Sequence, residues 1–333
     1  MSPDDPVKPD DPVKPDDPVK PDDPVKPDGP VKPDGPESIC ILRLSALGDV
    51  CHAAAVVQNI RRRYPFAKLV WIIAKAEEEL LRGLPGIEFL VFDKARGLRA
   101  FWDLKSQLQG RRFDVLLHMQ RALRASLVSC LVSAKRRIGW DRARAREAQW
   151  LFTNEKVKAQ SCPHVIDGFF AFAEKLGVTN KEIRHEIPIP QGAKDWAKAK
   201  LGSKERVLVI NPSASDPRRS WTAAGYAAVA DHVRDKYSWS IALTASPKRE
   251  EVELANAVYR ASKGPVLNLA GETGLKELLA VLQRADLLLS PDSGPIHMAD
   301  ALGTDVVGIY LHSNPRRTGP IKSQDKVLNL YEE

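Results

Sequence analysis

The chain has 333 residues, 43% of them hydrophobic, enough to fill the cores of two ordinary domains. It holds no run of about 18 apolar residues that would mark a membrane span, and its N-terminus lacks the basic and apolar regions of a signal peptide, so a cytosolic protein is expected. The formal charge is +7, but residues 1–36 hold ten Asp against five Lys, so the remainder is more basic than the whole and fits either an anionic partner or a merely soluble basic surface.

Residues 3–36 repeat the hexad Pro-Asp-Asp-Pro-Val-Lys, with Gly29 and Gly35 replacing the second Asp late on. Proline at every third place forbids helix and sheet ladders, and almost nothing there can be buried. Residues 1–37 are therefore expected to be a disordered or polyproline-like tail. From Ser38 order is expected. Ile39-Cys40-Ile41-Leu42 reads as a buried parallel strand. A loop from Arg43 to Asp49 follows. Val50, Ala53, Val57, Ile60 and Tyr64 then recur at spacings of three and four, a helical stripe stopped by Pro65. Residues 69–73, 89–92 and 115–119 read as further strands with helical patterns between them, which predicts an α/β half with a parallel sheet. Residues 164–176 read as another helix, and Ile187-Pro188-Ile189-Pro190 as an interdomain link. A second series has strands at 207–210, 241–244, 266–269, 286–289 and 306–310. The predicted fold is two facing Rossmann-like domains, 38–190 and 191–333, whose strand carboxyl ends open on one cleft, where such sheets bind ligands. Cys40, Cys51, Cys130 and Cys162 are scattered without CxxC or metal-ligand spacing, which suits a reducing compartment.

Three loops carry chemistry. In Ser45-Ala46-Leu47-Gly48-Asp49, at a strand's carboxyl end, Gly48 permits close approach of a ligand. Asp49 is there either a general base for an acceptor hydroxyl or simply a helix cap. Ser290-Pro291-Asp292-Ser293-Gly294-Pro295-Ile296-His297 joins a strand to a helix whose N–H groups and dipole suit a diphosphate. His297 could touch a phosphate or be a packed helix histidine. The third loop, from Asn211 to Trp221, offers Asn211, Ser213, Arg218 and Arg219 to phosphate oxygens, or is a polar turn with Trp221 packed at a helix start. There is no Walker A sequence, GxGxxG or HExxH, no Asp-x-Asp beyond the tail, and no nucleic-acid motif with the basic clusters 61–63 and 135–137.

In order and spacing these loops resemble glycosyltransferase family 9, the bacterial heptosyltransferases. Residues 41–50 resemble that family's opening, where the Gly-Asp carboxylate is the proposed base. Asp292-Ser293-Gly294-Pro295-Ile296-His297 resembles its Asp-(Thr/Ser)-Gly-x-x-His donor motif, and Arg219-Ser220-Trp221 its basic-x-Trp element. Residues 313–320 are similar to a donor-side segment of some members. The resemblance spans residues 38–331 and implies a GT-B fold and inverting transfer without metal or cofactor. The implied donor is ADP-L-glycero-D-manno-heptose. The implied acceptor is an anionic glycolipid at the inner membrane surface, the Kdo or heptose inner core of a lipid A precursor. It implies Asp49 as base and Ser45, Gly48, Gln120 and Arg124 near the acceptor. Another sugar or acceptor, or a non-catalytic relative, would share these motifs. The hexad tail lies outside the family's pattern, and relatives usually continue past the equivalent of Glu333 with helices returning to the first domain.

Overall fold

The computed structural model describes residues 35–161, 164–202 and 206–331; the expected tail up to Asp34, and Cys162, lie outside the described residues. The first half runs β1 (Ser38–Leu42), α1 (Leu47–Arg63), β2 (Lys68–Ile73), α2 (Lys75–Leu81), β3 (Ile87–Val91) and α3 (Arg99–Leu108). It continues with β4 (Phe113–His118), α4 (Leu123–Ser129), β5 (Ala134–Gly139), β6 (Glu155–Lys156) and α5 (Val165–Lys175). After α6 (Gln191–Leu201) come β7 (Val207–Ile210), α7 (Ala223–Tyr237), β8 (Ser240–Leu243), α8 (Arg249–Ala261), β9 (Leu267–Asn268) and α9 (Leu275–Arg284). The chain closes with β10 (Leu287–Pro291), α10 (Gly294–Leu302), β11 (Asp305–Tyr310), α11 (Pro315–Thr318) and β12 (Val327–Asn329).

Among the described residues the strands form two six-stranded sheets, ordered β3-β2-β1-β4-β5-β6 and β12-β11-β10-β7-β8-β9. Every pairing described is parallel. Each half has the doubly wound order, with its switch point between β1 and β4 in one and between β7 and β10 in the other. The apolar runs expected as strands are strands because both faces are covered. Ile39, Cys40, Ile41, Leu42, Val207, Val209 and Ile210 have no exposed surface.

Helix α1 differs from the expected single stripe. Every residue from Val50 to Ile60 is buried, because α1 packs on its sheet and also against α5 and α10. Its last turn carries Arg61, Arg62 and Arg63, which complement the helix dipole. Buried Asn59 fastens the segment after α5: its Nδ2 donates to Glu182 O at 2.6 Å and its Oδ1 accepts from Glu182 N at 3.1 Å. The stretch 187–190 has neither helix nor strand, as expected of a link, and α6 then packs on α9. Near the start of α9, Lys276 Nζ donates to Leu80 O at 2.9 Å, Arg82 O at 3.0 Å and Pro188 O at 2.7 Å, tying that helix to the end of α2 and to the link. Among the described residues no helix is long and apolar enough to cross a membrane.

Candidate active site

At the carboxyl end of β1, Arg43 turns inward beneath the loop. Its Nη1 donates to Met119 O at 3.0 Å, its guanidinium lies 5.1 Å from the Phe169 ring centroid, and its Nη2 forms a close ion pair with Asp49. The Arg43 side chain is 7% exposed and that of Asp49 33%. The carboxylate is thus gripped from the protein side and open on the other. Burial pulls the Arg43 pKa down, and the neighbouring Asp49 charge restores part of it. Asp49 Oδ2 also stands 3.5 Å from Ala46 N, at the outer limit of a hydrogen bond. Asp49 therefore makes the cap contact, but weakly, while its stronger partner is Arg43.

Gln120 lies just past β4. Its Oε1 accepts from Leu44 N at 3.2 Å and Ser45 N at 3.3 Å, so this side chain shapes the Ser45 loop. Arg124 is exposed on the first turn of α4. Sequence reasoning passed over Arg121 between them. Burial lowers its pKa, Arg146 and Arg43 lower it further, and the Asp49 charge opposes them, so a basic neighbourhood surrounds the carboxylate.

On the second sheet, Asp292 follows β10. Its Oδ2 is 3.3 Å from Arg219 Nη1 and its Oδ1 is 3.6 Å from His297 Nε2. Burial pushes the Asp292 carboxyl up, but the neighbouring His297 and Ser313 side chains and the Arg219 charge outweigh it and hold the group below its usual value. Ser293 precedes α10, and its hydroxyl is engaged by Ser290 Oγ at 2.9 Å. No side chain caps the first turn of α10, where Gly294 and Pro295 stand, so its N–H groups remain available to an anion. Asn211 is turned into its own loop, donating to Ser213 O at 2.9 Å, and Ser213 Oγ donates to Glu251 at 3.3 Å. Arg218 is drawn to Asp216 at 2.7 Å, whereas Arg219 reaches Asp292. Trp221 packs edge-on against Tyr226 at the start of α7.

The two loops meet. A Cβ built on Gly48 would lie 2.5 Å from His297 Cδ2, so only glycine lets α1 approach α10 this closely. Beside it, His52 stacks edge-on against His297 at 4.9 Å and His164 at 5.5 Å between centroids. His164 Nδ1 accepts from Ile166 N, so Nε2 carries the proton donated to Gly319 O at 3.0 Å. Neither Arg43 nor this histidine contact was found by sequence reasoning. The one available signal was a basic residue directly after a fully apolar strand.

A family model described as glycosyltransferase family 9 (heptosyltransferase) matches residues 101–333. Over 297 residues the chain is 41% identical to the lipopolysaccharide core heptosyltransferase OpsX of Haemophilus influenzae, covering 89% of this chain and 85% of that protein. Among solved structures, the family 9 glycosyl transferase of Veillonella parvula superposes with a TM-score of 0.78 at 21% identity, covering 88% of this chain and 85% of that one. The E. coli heptosyltransferase WaaC with ADP superposes with a TM-score of 0.74 at 19% identity, covering 87% and 92%. At such identities the structural likeness speaks for a shared GT-B fold.

Proposed function

We infer the function from one premise: the chain belongs to glycosyltransferase family 9, the heptosyltransferases. It is a glycosyltransferase of lipopolysaccharide core assembly that moves a heptose from a nucleotide-sugar donor. The reading is an inverting transfer from ADP-L-glycero-D-manno-heptose to the Kdo or heptose inner core of a lipid-linked precursor at the inner membrane surface. Residues 38–190 are assigned to the acceptor and 191–333 to the donor.

The observation that carries this reading is the contact of α1 with α10 at Gly48 and His297, which sets an open carboxylate beside an uncapped helix N-terminus. In the proposed reaction Asp49 takes the proton of the acceptor hydroxyl, with Ser45, Gly48, Gln120 and Arg124 around the acceptor. The hydroxyl oxygen bonds to the anomeric carbon from the face opposite the diphosphate, and the bond from that carbon to the diphosphate oxygen breaks. ADP leaves with its charge met by Arg219 and the first turn of α10. Asn211, Ser213 and Trp221 shape the donor loop, Arg218 flanks it, and Asp292, Ser293 and His297 hold Arg219 and the helix start. No resident cofactor or metal enters this scheme. Incubating the purified chain with ADP-heptose and a Kdo-bearing lipid A precursor should release ADP and add one heptose to the acceptor by mass spectrometry. Release of ADP with no glycosylated product, or preference for another nucleotide sugar, would defeat the assignment.

A further inference from the structure

Of the seven large apolar side chains exposed among the described residues between 38 and 190, four lie together on α4 and the short helix that packs against it. Leu123 and Leu127 lie one turn apart on α4, hence on one face, and are 46% and 48% exposed. Trp150 and Leu151, on the short helix Gln149–Phe152 that packs against α4, are 53% and 64% exposed. The interior polar groups beneath hold this surface in place. Fully buried Gln149 donates through Nε2 to His118 O at 2.9 Å and Gln120 O at 2.7 Å, while its Oε1 accepts from Trp140 N at 3.1 Å. Arg137 donates to Phe152 O at 2.9 Å and Ser129 O at 2.8 Å, joining the far ends of both helices. Glu147 and Ala148 lead into the short helix with φ of 49° and 56°, a left-handed conformation that non-glycine residues adopt only at a cost. Burying these polar groups and straining this backbone to aim apolar side chains at water marks a surface with a partner. Arg124, Arg142 and Arg146 are exposed in the same segments, with the carboxylate of Glu147, which accepts from Leu123 N, among them.

We propose that α4 and the Gln149–Phe152 helix form the face by which this protein docks on an anionic phospholipid bilayer. The proposal rests on the acceptor being a membrane-borne glycolipid. Trp and Leu seat in the boundary between acyl chains and headgroups, and the arginines meet anionic headgroups. That charge complementarity favours a bilayer over a second copy of the chain. The face runs through Gln149 to Gln120, whose side chain holds the Ser45 loop, so a lipid lying under it delivers its headgroup sugars toward Asp49.

Co-sedimentation of the full chain with vesicles free of glycolipid tests the face separately from the transfer reaction. The wild type should bind phosphatidylcholine vesicles doped with phosphatidylglycerol and leave pure phosphatidylcholine unbound. Trp150→Ser with Leu151→Ser should weaken partition at least about tenfold, and Arg142→Glu several-fold. The double variant should keep the wild-type rate on a deacylated, water-soluble acceptor. Undiminished vesicle binding by the double variant would overturn the proposal. So would a wild type that ignores both vesicles, or a dimer in solution that the double variant dissolves, which would make the face a contact between copies.

Discussion

Asp49→Asn preserves the shape of the side chain and removes its charge. Its amide oxygen can still accept from Arg43, and Asn caps about as well as Asp. The contact to Ala46 N is 3.5 Å long, so little of the helix start depends on it. The larger change is the exchange of a charge-assisted bond to Arg43 for a neutral one. Arg43 keeps Met119 O, and the 33% exposure of Asp49 lets water screen the pair. A stability loss of about 1–2 kcal/mol is expected, the difference between hydrogen bonds to charged and to neutral groups. The rate effect should be of another size. Losing a positioned base costs about 10²–10⁴-fold, roughly 3–5.5 kcal/mol in the barrier. Single-turnover rates of wild type and variant, with donor titrations of both, separate the two effects. Donor affinity should hold, because its proposed contacts lie on the other sheet. A folded variant turning over at near the wild-type rate would leave Asp49 as a partner of Arg43 and no more. A rate lost only in proportion to donor affinity would move Asp49 to the donor.

Arg219→Ala should weaken ADP-sugar binding by about 1.5–3 kcal/mol, the range for hydrogen bonds to a charged group; unchanged affinity by calorimetry would remove Arg219 from the donor site. Turnover should survive EDTA, since Arg219 and the α10 N-terminus are proposed to meet the diphosphate charge; a strict Mg²⁺ or Mn²⁺ requirement would contradict that. His118 should make the fold acid-sensitive. Burial pushes its pKa down from 6.5 to about 3, with Arg137 adding to the effect. Between those values the unfolded chain binds the proton and the folded chain does not, so stability is full above 6.5 and falls as pH drops toward 3. The slope is at most about 1.4 kcal/mol per pH unit, and His118→Gln should flatten it in denaturant titrations; an unaltered slope would place the acid sensitivity elsewhere.

The central strands were legible because a parallel strand covered on both faces must be apolar along its length, as 39–42 and 207–210 are. Strand β5 was not. Its sequence, Ala-Lys-Arg-Arg-Ile-Gly, reads as a basic surface cluster, yet Arg136 pairs with Glu155 on β6 at 2.7 Å and Arg137 spends its donors on backbone carbonyls. Those partners lie on the neighbouring edge strand and on adjoining turns, where no periodicity reports them. The short β6 and β12 escaped for the same reason, being too brief to carry a pattern. At the site, Asp49, Asp292 and His297 could be picked out because each follows an apolar strand at its carboxyl end. Arg43 and Gln149 could not, since their roles are defined by Met119, His118 and Gln120, residues brought near only by the folded sheet.

Gly48 links these observations. At the residue before the proposed base α1 has no room for a Cβ beside His297, and His297 in turn borders Asp292, which holds Arg219. Each half places a helix N-terminus at its own switch point, α1 after β1 and α10 after β10. The positive ends of both helices therefore converge, one occupied by the Asp49 carboxylate and the other free for an anion. A carboxylate next to a donor diphosphate would otherwise suffer repulsion. Here Arg43 neutralises the first charge, while Arg219 and α10 are placed to neutralise the second. The close approach that would bring the proposed base and the proposed donor site to one reacting centre is thus made tolerable by one arginine and one helix dipole on each side.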